Sequence, residues 1–329
     1  MNLIMMGTGD FTVPIFQLLL DRGYPVRLLV TQPDRPKGRH QEVELALVKR
    51  RAIEHNIPVF QPESVNTADS IARLAEVEPD LLVVAAYGQI LRKQLLEVSR
   101  LGGVNLHASL LPKYRGAAPV NWAIYHGEQV TGVTVIQMSP KMDAGAILLT
   151  AETPIDPEET AGELEDRLAR LGAPLVCEAI DGLAAGTLVG RPQDKAQATR
   201  APKLNKEHGL IDWSRDAQAV CNQIRSMQPW PMPFTFWHSL TSGVQERLII
   251  ERCRTVEAEV LPGHAVDGPA GSIVAVGEKC CVVKAGRGFV SIERLRPAGK
   301  RTMSCAEFLR GHAVRPADRL GPEQLRDGS

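Results

Sequence analysis

The chain has 329 residues, of which 44% are hydrophobic and 23% charged, with 38 Lys+Arg balanced by 38 Asp+Glu. That length suits two domains, and the ordinary composition excludes a disordered or fibrous chain. Zero formal charge excludes a whole-chain polycation. However, residues 205–329 carry 17 basic and 14 acidic residues, and Lys279–Arg319 alone carries ten against three. A stretch of that kind either faces solvent or tracks a phosphate backbone. The cysteines, at 177, 221, 253, 280, 281 and 305, form no C-x-x-C pair, which fits a reducing cytoplasm rather than a disulfide framework or zinc site. MNLIMMGTG reads as a first strand and not a signal peptide, and no apolar run approaches the roughly 18 residues that a spanning helix needs.

In chain order, Leu3–Met6 reads as a strand, Val13–Asp21 as a helix and Val26–Val30 as a strand. Val48–Glu54 lies in a helix, Val59–Phe60 in a short strand and Ile71–Ala75 in a helix, before the buried strand Asp80–Ala86. This alternation predicts an α/β unit with a mostly parallel sheet covered on both faces. Gly102–His107 is a further strand, and Gly132–Met138 and Ala146–Pro154 form an antiparallel pair around MDAG. Thr160–Gly186 reads as a long helix with Thr160 as N-cap and Glu163 at N3. Residues 190–206 are polar and carry Pro192 and Pro202, which marks a linker between a domain at 1–189 and another at 207–329. Past a helix at Asp216–Ser226, the short runs Leu248–Glu251, Gly271–Val276, Cys280–Lys284 and Gly288–Glu293 predict a small β-barrel.

GTGDF at Gly7–Phe11 lacks the third glycine of a dinucleotide fingerprint and reads as a tight turn into a helix. QPDRPKGRHQ at Gln32–Gln41 is a loop at the carboxyl edge of the sheet. There Arg35, Lys37 and Arg39 either face solvent or reach phosphates. VNLHASLLPKYRGAAPVNWAI at Val104–Ile124 says most. Strand alternation points Asn105 and His107 to one side and Leu106 into the core. Asp143, 36 positions beyond His107, sits in a glycine-containing loop from which it can orient the imidazole or hold it protonated. Gly116–Ala118 are small enough for a substrate to approach the backbone. An amide, an imidazole and a carboxylate in one cleft can stabilise an oxyanion and move a proton, as acyl transfer to an amine requires. A serine hydrolase lacks its G-x-S-x-G elbow, and a metal site at His107, His126 and Asp143 lacks an H-x-x-x-H pair.

At these residues the chain resembles the methionyl-tRNA formyltransferases, within the 10-formyltetrahydrofolate-dependent formyltransferase superfamily. GTGDF, TQPDRPKGR, PVFQPESV, PDLLVVAAYGQIL, VNLHASLLPKYRGAAPVNWAI and MDAGAIL carry the resemblance in the first half. KLNKEHGLIDWS, QPWPMPFTF and RPAGKRTMSCAEFLRG carry it in the second, and the last two separate the tRNA-acting enzymes from sister formyltransferases of amino sugar nucleotides and from formyltetrahydrofolate hydrolases. A folate- or RNA-binding protein without catalysis is the rival from another class, and the intact Asn105, His107 and Asp143 speak against it.

The resemblance implies a Rossmann-like N-terminal domain and an OB-like C-terminal barrel that holds tRNA. It also implies transfer of formyl from 10-formyltetrahydrofolate to methionyl initiator tRNA, without a metal, by a cytoplasmic monomer. Asn105, His107 and Asp143 match the catalytic residues. Ser109, Leu110, Leu111 and Pro112 match the folate signature, and the Ala85–Leu91 strand end, with Tyr87, Gly88, Gln89, Ile90 and Leu91, would read the pterin. Arg35, Lys37, Arg39 and Lys49 around the first loop, and Lys284, Arg287, Lys300 and Arg301 in the barrel, would meet the tRNA. The chain departs from the family pattern after Arg39, where HQEVELALVK brings Glu42 and Glu44 to positions usually basic or neutral.

Overall fold

The structure, a computed structural model, describes residues 1–35, 45–258 and 268–324. Along the chain come β1 (Leu3–Met6), α1 (Thr12–Asp21), β2 (Val26–Val30), α2 (Leu47–Glu54), β3 (Val59–Phe60), α3 (Ala68–Ala75), β4 (Leu81–Val84), α4 (Lys93–Leu96) and β5 (Gly103–His107). Short β6 (Arg115–Gly116) and α5 (Pro119–Tyr125) precede the hairpin β7 (Val130–Gln137) and β8 (Ile147–Pro154). The long α6 (Ala161–Ala184), which starts just after Thr160, and β9 (Arg200–Ala201) follow. Chain contacts divide the described residues into two units. The first takes 1–119, 130–154 and 163–202, and the second takes 120–129, 155–162 and the rest from 203. The last of these boundaries falls inside the 190–206 stretch, while the second unit also draws in 120–129 and 155–162 from the earlier part of the chain.

The first unit holds a seven-stranded sheet in the order β3-β2-β1-β4-β5-β7-β8. Its first five strands are parallel, and β7 and β8 add the antiparallel edge. Because both faces are covered, β1 and β4 are buried at every position, which is why they read as unbroken apolar runs. Alternation still sorts them. Ile4, Met6, Leu28, Val30, Leu82 and Val84 pack with Leu74 of α3 and Leu95 of α4 in one cluster. The strand order reverses between β1 and β4, so the loops after these two strands flank the crevice where α/β sheets bind ligands.

The second unit adds α7 (Ala217–Ser226), β10 (Phe234–His238), β11 (Gln245–Val256), β12 (Ile273–Val276), β13 (Cys281–Lys284), β14 (Phe289–Pro297), β15 (Met303–Ser304), α8 (Cys305–Gly311) and β16 (Arg319–Gly321). Its sheet runs β12-β13-β14-β11-β10-β16 with antiparallel pairing. A bridge between Ser272 and Arg319 brings β16 back beside β12, so the sheet nearly closes into a barrel. Trp213, Trp237, Val283, Ile292 and Phe308 lie in its core, and α7 contributes Val220 and Ile224. The run expected at Leu248–Glu251 is the middle of the twelve-residue β11, and β10 and β16 were not anticipated. No helix among the described residues is long and apolar enough to cross a membrane.

Candidate active site

Strand β5 carries Asn105 and His107 two residues apart at the carboxyl end of the sheet. Leu106 between them is 3% exposed and packs on α6, where a Cβ at Gly172 would lie 2.4 Å from its side chain. This close approach of helix to strand seals one face of β5 and leaves the other to the polar pair.

His107 is buried, and its Nε2 lies 2.9 Å from the carbonyl oxygen of Tyr114. A carbonyl can only accept, so Nε2 carries the hydrogen. On the other side of the ring, Nδ1 lies 3.8 Å from Asp143 Oδ1, close enough for charge attraction but too far for a hydrogen bond. The second carboxylate oxygen, Oδ2, accepts from the Gly116 N–H at 2.9 Å. Tyr114 and Asp143 both hold left-handed backbone, with φ of 60° and 48°. Such conformations cost non-glycine residues about 1–3 kcal/mol and persist where the surroundings enforce them. Asn105 is half-buried, and its carboxamide makes no hydrogen bond to the described residues.

The loop after His107 is tied down by its own hydroxyls. Ser109 is fully buried and donates to the Lys113 carbonyl at 2.7 Å. Thr134, opposite His107 in the β5–β7 register, donates to the Ser109 carbonyl at 2.7 Å and accepts from the Leu111 N–H at 3.0 Å. Leu111 packs with Ile136 and Ile147, while Leu110 and Pro112 are half-buried. Gly116 serves the protein's own packing. A Cβ there would lie 2.3 Å from the Ala201 carbonyl, so β9 occupies the approach that the small residues suggested for a substrate.

After β4, Tyr87 is 2% exposed, its buried hydroxyl has no hydrogen-bond partner among the described residues, and burial pushes its phenol up to about 12. Leu91 likewise belongs to the core. Gln89 accepts from the Val65 N–H at 2.9 Å and donates to the Glu63 carbonyl at 3.3 Å, so its amide braces a neighbouring loop. Gly88, at φ 88°, and Ile90, 58% exposed, form the accessible surface here.

The expected phosphate-binding residues are scattered. Lys37 and Arg39, with Glu42 and Glu44, lie outside the described residues. Arg35 is exposed and pairs with Glu63 at 3.5 Å. Lys49 is largely buried and engages Asp34 and Gln61, so it is a structural tie. Burial raises the Asp34 carboxyl, but the hydrogen bonds from Lys49 and Gln61 outweigh it and the net shift is downward. In the second unit, Arg287 pairs with Asp216 at 2.8 Å and Arg301 with Glu307 at 2.9 Å, both guanidinium groups being mostly exposed. Lys284 is half-buried and Lys300 exposed. Among the described residues no three His, Cys, Asp or Glu side chains gather as metal ligands.

Sequence reading missed four residues around His107. Tyr114 supplies the carbonyl, and Thr199 Oγ1 accepts the Tyr114 N–H at 2.8 Å. Gln193 donates to the carbonyls of Asp143 and Gly145, both at 2.8 Å, and accepts two hydrogen bonds from Arg115 at 3.1 and 2.6 Å. Gln193 and Thr199 fall in the polar stretch that lacks periodicity, and no local signal marks them.

Residues 1–180 match the formyl transferase family, and residues 203–313 match the formyl transferase C-terminal domain. A methionyl-tRNA formyltransferase of Citrifermentans bemidjiense is 42% identical over 329 residues, covering 100% of this chain and 99% of the relative. One from Trichlorobacter lovleyi is 43% identical over 324 residues, with 98% of each chain covered. Among solved structures, the sugar 3N-formyl transferase WlaRD, crystallised with dTDP and 5-N-formyl-THF, superposes with a TM-score of 0.64 at 19% identity. It covers 92% of this chain and 99% of that one. HypX of Aquifex aeolicus in complex with tetrahydrofolic acid gives a TM-score of 0.61 at 17% identity over 94% of this chain and 46% of that one. These two likenesses establish the fold.

Proposed function

The chain belongs to the formyl transferase family, with the methionyl-tRNA formyltransferases, and from that premise we propose how its own residues carry the reaction. The enzyme formylates the α-amino group of methionyl initiator tRNA. The proposed donor is 10-formyltetrahydrofolate, and the exposed Gly88 and Ile90 with the backbone of the loop after β4 offer a part-apolar edge to its ring system.

One observation carries the catalytic reading: His107 is hydrogen-bonded at Nε2 and faced by a carboxylate at Nδ1, beside an amide with no hydrogen-bond partner among the described residues. As the amine attacks, negative charge builds on the formyl oxygen. Asn105 donates to that oxygen through its carboxamide N–H. His107 keeps Nε2–H on the Tyr114 carbonyl, so a proton on Nδ1 makes it a cation, which the Asp143 carboxylate at 3.8 Å stabilises. Nδ1–H then serves as the second donor. One N–H proton leaves the attacking amine and one arrives on the nitrogen that releases formyl. Asp143 relays it with no net change in the protein. No covalent intermediate with the protein is needed.

We further propose that Arg35, Lys37 and Arg39, together with Lys284, Arg287, Lys300 and Arg301, contact the tRNA backbone, and that a monomer of two domains, 1–189 and 207–329, acts in the cytoplasm. Six unbonded cysteines suit that compartment. The test is formylation of methionyl initiator and methionyl elongator tRNA by the purified protein with 10-formyltetrahydrofolate. Preference for the initiator is expected. Equal use of both keeps the chemistry and removes the discrimination, while no product with either removes the reading.

A further inference from the structure

The two groups that fix His107 are themselves held by one later segment of chain. The carbonyl that receives Nε2–H belongs to Tyr114, whose N–H donates to Thr199 Oγ1 at 2.8 Å. The carboxylate that faces Nδ1 belongs to Asp143, whose carbonyl accepts from Gln193 Nε2 at 2.8 Å. Both residues sit in left-handed backbone, which needs such restraint. The segment is anchored along its length. Arg191 and Ile147 exchange two backbone hydrogen bonds at 2.8 Å, and β9 lies parallel to β6 with Arg115 opposite Arg200. Gln193 is saturated. Its two amide hydrogens meet the carbonyls of Asp143 and Gly145, and its oxygen meets two donors of the Arg115 guanidinium.

We propose that residues 191–201 form a strap in which Gln193 and Thr199 are positioning residues, setting Asp143 and Tyr114 so that His107 meets the formyl oxygen in its reactive orientation. The proposal rests on the catalytic reading of His107 and Asp143 given above. Glutamate at 193 keeps the volume and the Arg115 pair but turns two donors into acceptors against two carbonyls. Valine at 199 keeps the shape and removes the acceptor. Serine at 199 restores it.

Steady-state formylation of methionyl initiator tRNA tests the strap on the full-length protein. Displacing a catalytic group by about 1 Å can cost on the order of 100-fold. Gln193→Glu and Thr199→Val should therefore each lower kcat by roughly 10- to 100-fold, with KM for both substrates changed less than about threefold. The pH profile of kcat should shift, which a purely structural role would not produce, and Thr199→Ser should recover most of the loss. In an Asp143→Asn background, Gln193→Glu should add less than about twofold, because it acts through Asp143. A silent Gln193→Glu beside a crippled Asp143→Asn overturns the strap alone, as does a fully additive loss in the double variant. Full turnover by Asp143→Asn overturns the catalytic reading and the strap with it.

Discussion

His107 in the first unit and Arg287 in the second are both suited to meet negative charge, yet the protein holds them in opposite ways. The imidazole is buried between a carbonyl from a strained turn and a carboxylate pinned by a backbone N–H, and its orientation is set before any substrate arrives. The Arg287 guanidinium is 85% exposed and touches a single carboxylate, Asp216, that is itself half-exposed. Arg301 and Glu307 repeat that pattern. Pairs of this kind are worth little to stability and exchange partners readily. A developing oxyanion has one position, which rewards preorganised donors, whereas a polyanion can be followed by cations that move. On the proposed reading, rigidity is concentrated where a bond changes and adaptability where a long substrate is tracked.

The sharpest way to break this contrast is Asn105→Ala. Loss of one preorganised donor should lower turnover by roughly 100- to 1000-fold, measured with both substrates saturating, while the melting temperature stays put. Near-normal turnover would remove Asn105 from the mechanism. Next, replacing Lys284, Arg287, Lys300 and Arg301 together by serine should raise KM for tRNA on the order of 10- to 100-fold and flatten its dependence on salt. kcat should be left intact; a fall in kcat at unchanged KM would mean that the barrel acts on the chemistry.

Smaller effects probe the second unit's own fold. Ser304 and Glu307 form a capping box on α8, and Ser304→Ala should cost about 1 kcal/mol in chemical denaturation. The backbone N–H of Ser304, then the Arg301 guanidinium and the Ser304 hydroxyl, hold the Glu307 carboxyl down at about 2. A depressed folded-state value stabilises above the ordinary glutamate pKa of 4.5, and that contribution drains away as pH falls from there toward 2. Glu307→Gln should remove this component from the stability–pH curve. A curve parallel to that of the parent protein would show the box to be idle.

How much of this was legible in the sequence follows from which interactions are local. Strands β1 and β4 are buried at every position and announce themselves as apolar runs, and the alternation around Leu106 placed Asn105 and His107 together. Strand β10 did not announce itself, because its buried positions are Thr235 and Trp237 while Phe234 and Phe236 stay half-exposed, so hydropathy points to the wrong face. Lys49 read as a cation for phosphate, but its partner Asp34 lies 15 residues away in the chain. Gln193 was hidden for the same reason: its value lies in carbonyls 48 and 50 residues upstream, and a carbonyl has no sequence signature.

The order in which the ribosome emits these pieces gives the strap one more meaning. Asn105, His107 and Asp143 leave the exit tunnel well before Gln193 and Thr199, and Thr199 follows Tyr114 by 85 residues. The nascent chain can thus assemble its sheet and hairpin while its histidine still lacks both final restraints. Competence comes late, when the last stretch of the first unit lies down across loops already made, and a product terminated near residue 190 would lack both the Gln193 and the Thr199 restraint.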